Sequence, residues 1–327
     1  MSLSRRHLLA APGLLLAAPA PAQPAAQPAW PERPVRFILP FPPGSTPDIT
    51  GRAVAGHLTQ AFGQPFVVEN RAGAGGNIGT DLVAKASDGH VIGLTINGPL
   101  STAKALYPDL PYDPARDLAV ISLLVRAAQV LVVHPAIPAT DLAGFIAHVR
   151  ANPGKLSFGS VGSGSGGHLA MADLMARAGL DMVHVPYRGF PQAVLDLVAG
   201  RIEAMILVSA GILPQMREGQ VRALAVTAEQ RIPQAPEVPT LAESGMADAT
   251  SYAWNALIAP ASMPAGRVNR LAREAAAALA EPQTRRVLEA GGFEVVASGP
   301  TEAGRFVAAE TARWSALIHR LGIKAEA

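Results

Sequence analysis

Apolar positions along the chain change their spacing repeatedly, and the changes fall at glycine and proline. "VRFILPF", from Val35, is a strand-like apolar run; "PPGSTPD" breaks it, and "ITGRAVAGHLTQAFG" spaces its apolar residues as a helix does. "FVVEN", a glycine-rich "RAGAGGNIG", the helix-like "TDLVAKAS" and the strand-like "VIGLTIN" repeat that order. "AVISLLVRAAQVLVVHP" reads as two strand runs in succession. After "DLAGFIAHVRANPG" the cycle restarts with "KLSFGSVGSGSGGHLAMADLMARAG".

The restart marks a second unit built on the logic of the first: a strand ends, a loop of small residues follows, and an amphipathic helix begins. "MVHVPYRGFPQAVLDLVAGRIEAMILV" gives a strand, a turn, a helix with Pro191 in its first turn and Gly200 at its end, and another strand. "VRALAVTA" is a further strand, and "SYAWNALIAP" reads as the chain returning to the first unit. "GRVNRLAREAAAALA" and "TEAGRFVAAETARWSALIHRL" are closing helices. Strands alternating with helices predict an α/β architecture with a mostly parallel sheet. No short-period repeat or sustained heptad is present.

Composition adds compartment and excludes partners. The 327 residues are 49% hydrophobic, 16% charged and 5% aromatic, enough apolar material for one large domain or two ordinary ones. "MSLSRRHLLAAPGLLLAAPAPAQ" has a basic start, an apolar run from Leu8 to Ala18 and small residues ending at Ala22. It reads as an export signal over 1–22, with the mature chain starting near Gln23. The paired Arg5 and Arg6 suit a twin-arginine leader but also open general secretory signals, so both routes stay open. The apolar run is too short for a bilayer span. "QPAAQPAWPERP" then reads as a Pro/Ala linker over 23–33. Without Arg5 and Arg6, 25 basic residues face 25 acidic ones, so nucleic acid is not an expected partner. Zero cysteines exclude a lipid anchor on cysteine, disulfides and thiolate metal sites. The periplasm is the expected location, and a monomer the expected state.

Candidate chemistry concentrates in the loops. Gly162, Gly164 and Gly167 spell G-x-G-x-x-G between a strand and a helix. A dinucleotide fingerprint also needs an acid about 20 residues on, at the far end of the next strand. Asp181 has the spacing but precedes "MVHVPY", at the wrong end of it. Two readings remain: a flexible turn, or a small-anion site in which helix N-terminal amides and the hydroxyls of Ser160, Ser163 and Ser165 face one carboxylate. "PFPPGSTPD" fits the same chemistry through Gly44, Ser45 and Thr46, with Asp48 as a cap rather than a ligand contact.

Together "PFPPGSTPD", "VVENRAGAGGNIG", "LPYDPARDL", "VLVVHP", "GSVGSGSGGHLA", "DMVHVPYRG", "VRALAVTAEQR" and "EVPTLAESG" resemble the solute receptors of tripartite tricarboxylate transporters, the Bug receptors. The resemblance spans nearly the whole chain after the leader. It implies a two-domain periplasmic-binding-protein fold, type II-like, each domain a mixed sheet flanked by helices with a cleft between. The expected division is 34–128 plus 253–327 for one domain and 129–252 for the other. Carried over, the ligand contacts are Pro42, Gly44, Ser45, Thr46, Asn97 and Ser101 on one side. Across the cleft stand Ser160, Gly162, Ser163, Gly164, Ser165, Tyr187, Arg188 and Gly189. The implied function is capture of a small organic carboxylate for membrane permease subunits, without a cofactor. Ser45 departs from a usual glycine pair, Ala256 from a common glycine, and Leu207 and Val208 from a polar pair. Leu207 is therefore either an apolar cleft wall or ordinary strand core.

Catalysis has little support. There is no cysteine, no G-x-S-x-G elbow and no P-loop lysine. His168 and His184 are the nearest approach to a metal pair, but one falls in a strand and the other opens a helix, so core or capping roles are expected and no metal site. Arg188 either clamps a carboxylate or faces water. Tyr187 and Trp254 are either packing residues or ligand walls. A ligand-controlled sensor, with a membrane signalling protein in place of a permease, fits the same sequence, and a periplasmic enzyme is a further, weaker alternative.

Overall fold

The computed structural model describes residues 30–187 and 189–325, so the leader, most of the linker and Arg188 lie outside the described residues. The strands are Val35–Leu39 (β1), Phe66–Asn70 (β2), Val91–Ile96 (β3), Leu118–Val133 (β4), Ser157–Ser160 (β5), Val183–Pro186 (β6), Ala204–Val208 (β7), Arg222–Val226 (β8), Tyr252–Pro260 (β9) and Phe293–Val295 (β10). The helices are Thr46–Phe62 (α1), Asn77–Ala84 (α2), Ala103–Leu106 (α3), Pro114–Asp117 (α4), Leu142–Ala151 (α5), Gly166–Ala178 (α6), Phe190–Val198 (α7), Leu213–Arg217 (α8), Ala265–Ala280 (α9), Pro282–Ala290 (α10) and Pro300–Leu321 (α11).

Strand order is β2-β1-β3-β9-β4-β7-β5-β6, with β10 and β8 also on β4. Parallel trios β2-β1-β3 and β6-β5-β7 occupy the two ends, while β9, β4, β8 and β10 add antiparallel pairings, so the sheet is mixed. The two expected runs in "AVISLLVRAAQVLVVHP" are one strand, β4. No glycine or proline interrupts that stretch, and bulges between Val120 and Ser122 and between Leu123 and Val125 absorb its curvature. β4 changes neighbours midway: Ala128 is the last residue paired with β9, and Gln129 is the first paired with β7.

That change of partners divides the core. On the β9 side, Phe37, Leu39, Ile92, Leu94 and Leu257 pack against Val54 and Leu58 of α1 and Leu271 and Ala275 of α9. Ile38, Val91, Trp254 and Ile258 fill the opposite face under Val83 of α2 and Val307 of α11. On the β7 side, Leu131, Val133 and Ile206 face one cluster, and Val130, Val132 and Leu207 face the other. Both faces of the central strands are covered, which explains continuous apolar runs where an alternating pattern would mark a half-exposed sheet.

The end of the supposed linker belongs to the fold. Trp30 is 7% exposed, stands edge-on to Phe62 and donates its indole N–H to the Gly89 carbonyl at 2.8 Å. Its proline- and alanine-rich surroundings carry no apolar period, so nothing local announced that role. Trp254 is core as well, with its indole N–H directed to Glu310 at 3.2 Å, and Ala256 beside it is fully buried. Among the described residues no helix is long and apolar enough to cross a membrane.

Candidate ligand cleft

A cavity of about 700 Å³ opens between the two halves of the sheet. Its first wall is the segment Ala72–Asn77 with Phe41 and Pro42; its second is Val161–Ser165 with Pro186 and Tyr187. Gly98, Pro99, Thr102, Leu106 and Tyr107 close one side. None of the described lining side chains carries a formal charge.

The second wall is built by short-range capping. Ser165 is the N-cap of α6, its hydroxyl accepting from the His168 amide at 3.4 Å. Gly164 takes φ +78°, and its amide donates to His168 Nδ1 at 3.0 Å. Gly167 sits so close to β7 that a Cβ would fall 2.0 Å from the Ile206 carbonyl oxygen, so only glycine lets α6 start there. Among the described residues the amides of Ser163, Gly166 and Gly167 have no partner, and neither has the Ser163 hydroxyl. Free donors at the start of a helix suit an anion.

Beneath this loop the His168 and His184 rings stack with centroids 4.0 Å apart and planes 6° from parallel, and Phe158 stacks on His184. Face-to-face rings do not converge their nitrogens on one point, so the pair is not built as a metal site. Burial, with His184 adding to it, pushes His168 down to about 3, which keeps Nδ1 an acceptor for Gly164. His184 Nε2 lies 2.7 Å from Ser160 Oγ.

The first wall differs from expectation. Pro42 lines the cavity, but Gly44, Ser45 and Thr46 do not. Asp48 holds that loop: its carboxylate accepts from the Gly44 amide at 3.0 Å, from Arg52 and from Asn70. Burial works against ionised Asp48, and the hydrogen bonds from Arg52, Gly44 and Asn70 outweigh it, holding the carboxyl below its usual range. The glycine segment before α2 takes the expected place instead. It repeats the strand, glycine loop and helix order read at Ser160–Leu174, so the signal was in the sequence. Thr80 steadies it by donating to the Gly76 carbonyl at 3.0 Å.

Gly162, Ser163, Gly164, Ser165 and Tyr187 line the cavity, whereas several other expected contacts do not. Ser160 is buried, its hydroxyl engaged with the Gly162 backbone and His184. Asn97 and Ser101 are buried beside the cavity; Asn97 packs where a Cβ on Gly166 would be, and the Ser101 hydroxyl has no partner. Gly189 precedes α7 and stays out of the lining. Leu207 is 0% exposed among Val130, Ile202 and Met205, because both faces of β7 are covered; it is strand core, not a cleft wall. Thr102, Leu106 and Tyr107 went unanticipated, since the turn of π-helix at Gly98–Thr102 and the short α3 leave no periodic trace.

The family model described as tripartite tricarboxylate transporter family receptor matches residues 50–323. The chain belongs to this family of receptors. Protein BugT of Bordetella pertussis is 35% identical over 97% of this chain and 98% of its own. Rpa4515 of Rhodopseudomonas palustris, solved with adipate, superposes with a TM-score of 0.82 at 33% identity, covering 90% of this chain and 99% of that one. MatC of the same organism, solved with bound malate, gives a TM-score of 0.80 at 30% identity over 88% of this chain and 100% of that one. The receptor therefore has a periplasmic-binding-protein fold over the full length of its relatives, and its family is one of solute-binding proteins rather than enzymes.

Proposed function

We propose that the receptor captures a small organic carboxylate in the cleft and presents it, from the periplasm, to membrane permease subunits of a tripartite transporter. The observation that carries this reading is the α6 N-terminus, where unpartnered amides and the Ser163 hydroxyl border a cavity that contains no competing described charge. A carboxylate can be held there by neutral donors, as an anion is at other helix starts, with no arginine required. The cavity volume lies within the ordinary range for small-ligand sites. Relatives solved with adipate and malate support the ligand class. Export by residues 1–22 belongs to the same proposal, as do the direct contacts of Pro42, Gly162, Ser163, Gly164, Ser165 and Tyr187. A thermal-shift panel of acetate, benzoate, malate and adipate tests it. Ligand at 100 times its dissociation constant raises stability by about 2.7 kcal/mol, and a panel with no shift at millimolar concentration overturns the carboxylate reading.

A further inference from the structure

Tyr112 is 2% exposed, yet its hydroxyl reaches the back of the cavity wall, 2.9 Å from Asn77 Oδ1 and 2.9 Å from the Pro99 carbonyl oxygen. Asn77 opens α2 and lines the cavity, and Pro99 lines it from the adjoining turn. The phenol has a single proton for these two acceptors, so it is shared between two segments of the wall. Burial also pushes the Tyr112 phenol up, so it remains a donor at every physiological pH.

With Oδ1 turned back to Tyr112, the other branch of the carboxamide is Nδ2, which has no partner among the described residues. Of the other lining hydroxyls, Thr102 lies within bonding distance of the Gly98 and Gly164 carbonyls, Ser165 caps α6 and Tyr187 donates to Asp196, whereas Ser163, at the α6 end, and Tyr107 have no partner among the described residues. We infer that Asn77 is a specificity residue of the cleft, giving an N–H to an oxygen at the end of the ligand away from α6, and that Tyr112 is a positioning residue that fixes the carboxamide in that sense. The inference rests on the reading of the cleft as a carboxylate site.

A fixed amide donor reads direction as well as polarity. A carboxylate or hydroxyl oxygen meets Nδ2 favourably, whereas an ammonium group meets another donor. Asn77→Asp inverts this with almost no change in shape: the new carboxylate still accepts from Tyr112 but turns an oxygen toward the ligand. An acid in the first turn of α2 complements the helix dipole, so folding is preserved or slightly favoured.

The test is calorimetry on the full mature chain, using as probe the tightest binder among acetate, benzoate, malate and adipate. Asn77→Asp is expected to weaken binding by about tenfold or more with an undiminished melting temperature, as for loss of a hydrogen bond to a charged group. Tyr112→Phe is expected to weaken binding several-fold when Asn77 is present and not at all in an Asn77→Ala background. Unchanged affinity in Asn77→Asp overturns the donor role, and an equal loss from Tyr112→Phe with and without Asn77 reduces Tyr112 to a packing residue. Failure of every acid to bind the unmodified receptor removes the carboxylate reading itself, a result distinct from either.

Discussion

His168 accepts the Gly164 amide through Nδ1 at 3.0 Å, so the shape of the α6 loop depends on a histidine that stays neutral. Because its folded pKa, about 3, lies below its unfolded value, the folded state binds fewer protons there. The stabilisation is fully present above about pH 6.5 and is lost as pH falls toward 3. The shifted carboxylates, Asp48, Glu69, Asp88, Asp113, Asp117, Asp196 and Glu243, all have pKa values moved downward, so they act mainly at lower pH. Between pH 6.5 and 4.5 this one group should remove about 2 kcal/mol, read by denaturant titration. His168→Asn, which keeps an acceptor near Gly164 without a titrating ring, should flatten the profile over that window. A slope that survives in the variant assigns it elsewhere.

Ser163→Ala should lower affinity for a bound acid by about 1 to 2 kcal/mol and leave the melting temperature unchanged, because the hydroxyl has no partner among the described residues. Ser165→Ala should behave differently, losing about 1 kcal/mol of folding stability with its cap, whatever happens to binding. Calorimetry paired with melting curves separates the two.

Leu207→Ala should cost about 2 to 5 kcal/mol of stability and leave ligand preference unaltered, since the side chain sits in the core behind the cavity. A change in the order of acids bound, without loss of stability, would return Leu207 to the cleft wall.

Removal of residues through 33 should destabilise the receptor relative to removal through 29, because only the first deletion takes away Trp30 with its Phe62 contact and Gly89 bond. Loss of a buried tryptophan is worth about 3 kcal/mol. Equal melting temperatures for the two forms would show that the tryptophan contributes nothing.

Legibility in the sequence followed range. Ser163 and Ser165 were readable because a strand, a glycine loop and a helix in immediate succession define a local geometry. Asp48 reads from sequence as a helix cap, but the N-cap of α1 is Ser45, and Asp48 instead ties the loop together through Gly44, Arg52 and Asn70, partners that lie up to 22 positions away. Leu207 was not readable, since the covering of both faces of β7 depends on helices remote in sequence. Tyr112 and Asn77 come together from 35 positions apart, and no spacing rule foretells a phenol reaching through the core to a wall amide. The single strand β4 reads from sequence as two, because pattern alone does not say where an uninterrupted apolar run changes neighbours.

That change of neighbours governs how the receptor comes apart. β4 supplies ladder bonds to β9 on one side of Ala128 and to β7 on the other side of Gln129, so melting either half strips hydrogen bonds from a strand the other half still uses. The penalty couples the two cores into one cooperative unit: a single calorimetric transition, with the amides along the middle of β4 among the last to exchange with solvent.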